Sequence, residues 1–165
     1  MRSITTALLG VFSATLIHAE DWPQWMGPER DGVWRESGIV ARLPEGGPPE
    51  RWRTAIGAGY AGPAVVGNRV YVADRILKTN ANNPDDPFAR AGEIPGWERV
   101  LCLDEATGEL IWKYENDVAY TVSYASGPRA TPTVVDGRIY ALGAEGHLTC
   151  LNADTGAVVW QVHFA

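Results

Sequence analysis

Few side chains in this sequence stand at spacings that chemistry requires. No group of Cys and His has metal-ligand spacing, so His147 and His163 read as surface or strand-packing residues. Asp85 and Asp86 form a vicinal carboxylate pair that would suit a cation. Their surroundings (NANNPDDP, residues 80–87) match no EF-hand loop, and a solvated loop is the simpler reading. No carboxylate has a spacing that marks it as a general base. The two cysteines, Cys102 and Cys150, lie 48 residues apart. Tyr114, Tyr120, Tyr124 and Asp117 fall within eleven residues, either along one rim of the fold or simply in strand packing.

The elements that must position these groups come from an internal repeat. Residues 101–112 (LCLDEATGELIW) align with 149–160 (TCLNADTGAVVW) at an offset of 48. Cys, Leu, Thr, Gly and Trp match in place, and Asp104 aligns with Asn152. Upstream, residues 62–72 (GPAVVGNRVYV) align with 131–141 (TPTVVDGRIYA) at an offset of 69, so the first copy carries a 21-residue insertion, roughly Arg75–Arg99. A period near 48 is the size of a propeller blade. The cysteines occupy equivalent repeat positions, which usually lie beyond the ~7 Å Cα reach of a disulfide. They read as two small buried hydrophobes.

Each copy reads as antiparallel strands joined by tight turns. Val65–Val66, Gly67–Asn68 and the strand from Arg69 form a two-residue hairpin. Asp136–Gly137 supplies the same turn with the positive φ that type I′ requires. The next turns run Asp104 to Gly108 and Asn152 to Gly156. There the Asx side chain binds its own backbone, and Gly takes the left-handed position. The following strands close on Trp112 and Trp160. Segments such as Val100–Leu103 and Val158–Trp160 are apolar on both faces, which requires cover on both sides. Adjacent blades supply that cover, and a Trp at a fixed repeat position wedges between them. Asp104, Thr107, Gly108, Trp112, Asn152, Thr155, Gly156 and Trp160 are therefore the structural repeat motif. The expected fold class is all-β.

This pattern, Leu-Asp-x-x-Thr-Gly-x-x-x-Trp with its upstream Pro-x-Val-Val-x-Gly-Arg-x-Tyr, resembles the PQQ-type β-propeller repeat. That repeat occurs in pyrroloquinoline-quinone dehydrogenases and in the outer-membrane assembly scaffold BamB. The segments DWPQWMGPERDG (21–32) and GPRATP (127–132) resemble exported PQQ-like proteins of planctomycete-type bacteria. The resemblance covers the chain from about Asp21 onward. It implies about two blades, from a ring of about eight in a longer chain. It also implies an axial funnel, toward which Arg129 and Thr131 are weak cofactor-binding candidates, with turn bonding and strand pairing as their simpler roles. Quinoprotein dehydrogenases hold PQQ and Ca²⁺ on the axis and commonly carry a vicinal Cys-Cys pair, which this sequence lacks.

The N-terminus reads as an export signal. Arg2 precedes an apolar run, residues 7–17, too short to span a bilayer, and cleavage is expected after Ala19. The expected organisation is a signal peptide (1–19), an extended segment with a partial blade including Trp52 (20–58), and propeller repeats (59–165). Trp97 and the insertion loop are a candidate contact surface. With 18 Gly and 11 Pro, a mostly helical fold is excluded, and the net charge of −6 excludes general nucleic-acid binding. The expectation is a periplasmic or secreted, non-enzymatic binding or scaffold module. Its expected partners are proteins or cell-envelope components, without a cofactor and without a membrane span after cleavage. The alternative is the N-terminal part of a PQQ-dependent dehydrogenase.

Overall fold

A computed structural model of the protein describes residues 20–89 and 92–164, and the expected signal peptide, 1–19, lies outside them. The described residues form eight strands and no helix. These are β1 (Ala64–Val66), β2 (Arg69–Leu77), β3 (Gly96–Asp104), β4 (Leu110–Asp117), β5 (Thr133–Val135), β6 (Arg138–Leu142), β7 (His147–Asn152) and β8 (Val158–His163). They build two four-stranded antiparallel sheets in the orders β1-β2-β3-β4 and β5-β6-β7-β8. The fold is all-β, and each sheet is one propeller blade. The sheets approach each other along their short first strands, β1 and β5.

The register repeats between blades. Tyr71 faces Cys102 and Cys102 faces Trp112, just as Tyr140 faces Cys150 and Cys150 faces Trp160. Both blades also bulge at the same place, after Cys102 and after Cys150. The turns repeat atom for atom. Asp104 Oδ1 accepts from Ala106 N, Thr107 N and Thr107 Oγ1 at 2.9–3.0 Å. Asn152 Oδ1 accepts from Asp154 N, Thr155 N and Thr155 Oγ1 at 3.0 Å. Gly108 and Gly156 close these turns at φ +72° and +71°. Asp136 and Gly137 are both at positive φ, the type I′ pattern, whereas in the first blade only Gly67 is.

The two-sided apolar strands of the first blade find cover on both sides. Tyr71, Val100 and Cys102 pack against Val134, Ile139 and Leu151 of the second blade. On the opposite face Val70, Val72, Leu101 and Leu103 pack against Trp52 and Val65. The wedge is a Trp laid on the next turn. Trp52 Nε1 donates to the Glu105 carbonyl at 2.7 Å, and Trp112 Nε1 donates to the Ala153 carbonyl at 3.1 Å. A Cβ on Gly108 would lie 2.4 Å from the Trp52 ring, and one on Gly156 would lie 2.5 Å from the Trp112 ring. Only glycine admits the ring at these positions. Cys102 and Cys150 are buried and free.

One expectation changes. The 21 inserted residues are not all loop, because residues 75–77 and 96–99 lengthen the β2–β3 hairpin, leaving Lys78–Pro95 as the connection. His147 and His163 do pack between strands. They are cross-strand partners whose rings stack at 4.2 Å. β8 is exposed along its whole length, so its apolar faces are uncovered among the described residues, with Trp160 43% accessible.

Candidate functional site

Three segments far apart in sequence meet beside the first blade. The approach segment pairs with β2 through Ala58 and Arg75, and Tyr60 N donates to the Pro128 carbonyl at 2.9 Å. Tyr124 N donates to the Pro87 carbonyl at 2.7 Å, which ties the insertion loop to the 123–129 segment. A Cβ at position 127 would lie 2.3 Å from the Ala58 carbonyl oxygen, so Gly127 allows the two backbones to approach. The result is an aromatic cluster. The Tyr60 and Tyr124 rings meet edge to face at 6.4 Å, and the Phe88 and Tyr124 rings at 5.0 Å. Phe88 is 71% exposed and Tyr60 50%. Tyr124 sits at φ +53°, a left-handed conformation costly for a bulky residue and maintained only by its surroundings.

Arg129 completes the cluster. Its Nη2 donates to the Ser123 and Tyr124 carbonyls, and its guanidinium carbon lies 6.0 Å from the centre of the Tyr60 ring. Nε and Nη1 make no hydrogen bond among the described residues, and the side chain is exposed. The site thus offers three rings and a guanidinium with free donors.

A buried polar network anchors this surface. Arg75 is 2% exposed and donates to the Ile94 carbonyl at 2.6 Å and the Ala125 carbonyl at 3.2 Å. Its guanidinium lies 3.8 Å over the Tyr120 ring. The Tyr120 hydroxyl donates to Glu98 Oε1, which also accepts from Ala144 N of the second blade at 2.8 Å. Asp74 accepts from Arg99 Nε at 2.7 Å and from Gly57 N. Burial, then the neighbouring Glu98 charge, pushes the Tyr120 hydroxyl far above the ordinary phenol range. Burial also lowers the Arg75 pKa, while the bond to Asp74 raises that of Arg99. Asp74 and Glu98 each accept from two different segments, which fixes the neighbouring loops to the blade.

The sequence candidates separate in space. Arg129 faces the aromatic cluster. Thr131 lines a different cleft, of about 470 Å³, with Trp22, Gln24, Trp25, Met26 and Pro63. Its Oγ1 is buried without a partner among the described residues. That cleft is built by the N-terminal segment. Trp22 pairs with Val65 of β1, the Pro23 carbonyl accepts from Val134 N of β5 at 2.8 Å, and Asp21 Oδ1 accepts from Gly67 N at 2.7 Å. The repeat-motif residues lie in the turns and wedges described above. Trp97 lies outside the cluster, on β3, with the Lys78 ammonium 4.8 Å from its ring. Tyr120 is fully buried and so is not a rim residue. Asp86 binds the Phe88 amide at 2.9 Å. No group of three or more His, Cys, Asp or Glu among the described residues is arranged to hold a metal ion. Phe88 and Tyr60 were missed because nothing in their local sequence marks them. The paired Trp of DWPQWMG was the available signal for the cleft.

Comparison with known proteins fits this architecture. The chain is 28% identical over 93 residues to the dehydrogenase subunit of a quinone alcohol dehydrogenase from Gluconobacter oxydans, covering 53% of this chain and 12% of that protein. It is 32% identical over 72 residues to the outer membrane protein assembly factor BamB of Salmonella typhimurium, covering 38% of this chain and 17% of that one. The matches thus span under a fifth of these relatives' lengths. Among solved structures, BamB from Moraxella catarrhalis superposes with a TM-score of 0.43 at 20% identity, over 68% of this chain and 28% of that one. No described helix is long and apolar enough to cross a membrane. The family model described as outer membrane protein assembly factor BamB matches residues 36–165, and with its recurring turns and Trp wedges the chain belongs to that family of PQQ-type repeat proteins.

Proposed function

We propose that this chain is part of an exported, non-enzymatic propeller that works as a binding or scaffold module in the periplasm or outside the cell, after cleavage behind Ala19. Proteins or cell-envelope components are its partners. The observation that carries this reading is the exposed aromatic and arginine cluster, held in place by a buried polar network. The BamB relative, named as an assembly factor, supports the same reading.

The second reading, a PQQ-dependent dehydrogenase, is favoured by the names of the quinone-dependent relatives. The residues present do not fit that cofactor. The cleft at the converging edge offers one unpartnered hydroxyl, on Thr131, among Trp, Met and Pro side chains. Arg129, the cation a quinone carboxylate would need, lies by the Tyr60 ring in the separate aromatic cluster and does not line this cleft. A buried carboxylate without converging donors is costly. The test is retention of PQQ absorbance after desalting in the presence of Ca²⁺, together with dye-linked alcohol oxidation. Neither is expected, and stoichiometric retention with turnover overturns the scaffold reading. N-terminal sequencing of secreted protein checks the cleavage point, where an intact Met1 counts against export by this route.

A further inference from the structure

We propose that the cluster of Tyr60, Phe88, Tyr124 and Arg129 is a docking site for an extended, proline-containing peptide with an aromatic side chain and a single carboxylate. This rests on the binding-module reading and names the partner of that same site.

Four observations define the occupant. First, the rings stand at 71° and 75° to one another, so they form notches rather than a flat platform. A notch takes one proline or aromatic ring edge-on, as aromatic-lined grooves take polyproline II segments. Second, the local backbone is committed. Ala58 is paired to Arg75, Tyr60 N to Pro128, and Tyr124 N to Pro87. Strand addition has little to bond to here, whereas a polyproline II segment needs no ladder because its own backbone stays solvated. Third, Arg129 keeps Nε and Nη1 unbonded among the described residues, beside the Tyr60 ring, which calls for an acceptor on the ligand and best a carboxylate. The chain's net charge of −6 opposes a polyanion, so one carboxylate is the fitting number. Fourth, Tyr124 is held at φ +53°, a conformation that costs the fold stability while placing this ring between the other two.

The test is fluorescence anisotropy of the full-length protein with a fluorescein-labelled peptide, APPEPPFP, against APPKPPFP and AGGEGGAG. APPEPPFP is expected to bind at least tenfold more tightly than either control. Phe88→Ala, at a largely exposed site, is expected to weaken binding about tenfold, as is Arg129→Gln, which also abolishes the preference for Glu over Lys. Tyr124→Gly removes the ring at a position whose φ suits glycine, so thermal stability holds or rises while binding falls at least tenfold. The proposal is overturned if no peptide binds, if the Lys peptide binds equally well, or if Phe88→Ala and Tyr124→Gly bind like the parent. Competition by cellohexaose but not by unlabelled peptide assigns the site to carbohydrate and also overturns it. The PQQ retention assay is run on the same sample. Absent peptide binding without PQQ retention removes this inference alone, whereas PQQ retention with turnover removes the underlying reading.

Discussion

Replacing Gly156 by Ala separates backbone strain from the Trp wedge, because Gly137 offers a matched control. Both glycines are left-handed, at φ +71° and +69°. Placing a Cβ in that conformation costs about 1–2 kcal/mol. At Gly137 nothing lies within 4 Å of the new Cβ, so that is the whole cost. At Gly156 the Cβ would lie 2.5 Å from Trp112 Cε3, and the ring must leave. Leaving breaks the Trp112 Nε1 bond to the Ala153 carbonyl, about 1 kcal/mol. It also exposes about half of a ~200 Å² side chain, about 2.5 kcal/mol at ~25 cal/mol per Å². Gly156→Ala should therefore cost about 4.5–5.5 kcal/mol against about 1–2 for Gly137→Ala. Urea titration followed by far-UV circular dichroism reads the difference. In a Trp112→Ala background, Gly156→Ala should fall to the Gly137→Ala cost, a coupling of about 3.5 kcal/mol. Equal costs for the two glycines in the parent protein, or no coupling to Trp112, would refute the wedge argument.

Further outcomes follow from other features. Hydrogen bonds from the Thr107 backbone and hydroxyl, then the Ala106 amide, hold the Asp104 carboxyl below its usual range. Its contribution is thus present above the unfolded value of about 3.9 and is lost as pH falls through the lower folded value. Asp104→Asn, which copies the Asn152 turn, should flatten stability against pH below about 4; an unchanged acid limb in thermal melts counts against this. Asp74 is fully buried against Arg99, so Asp74→Asn should cost about 3–5 kcal/mol, and adding Arg99→Leu should recover part of that in the same urea assay. Burial pushes the Cys102 thiol up, so native protein should react with a thiol reagent only as fast as it unfolds. A recombinant 20–165 chain should self-associate through the β8 face that carries Trp160, and Val162→Lys should raise the concentration at which light scattering detects it.

The blades were legible in the sequence because their determinants are local. An Asx side chain, a Thr three residues on and a left-handed Gly fix each turn within five residues, and the offset of 48 marks the second copy. The wedge partner was half legible. Trp112 announces itself by position, but the surface it covers belongs to the next repeat. The candidate site was largely hidden for a similar reason. Phe88, Tyr60 and Tyr124 lie in three unrelated loops, and no periodicity links residues that meet only in the folded chain. Arg75 and Glu98 fell inside what read as a loop. They proved to be buried strand residues, because the insertion extends a hairpin whose inward face carries charge satisfied by Tyr120 and by backbone carbonyls.

The direction of the Trp contacts has a consequence for engineering. Trp52 bonds the turn at Glu105 and Trp112 the turn at Ala153, always from one unit forward to the next. The interface is head-to-tail rather than self-complementary, so each unit presents a plug on one side and a socket on the other. The exchangeable part is therefore not a sheet cut at its own ends. A graft that moves residues 131–163 into another ring should retain its socket at 152–156 facing the plug Trp of the recipient's preceding unit, and should bring Trp160 to a recipient socket built around glycine. Chimeras joined on that phase should assemble, and those cut within a turn should not.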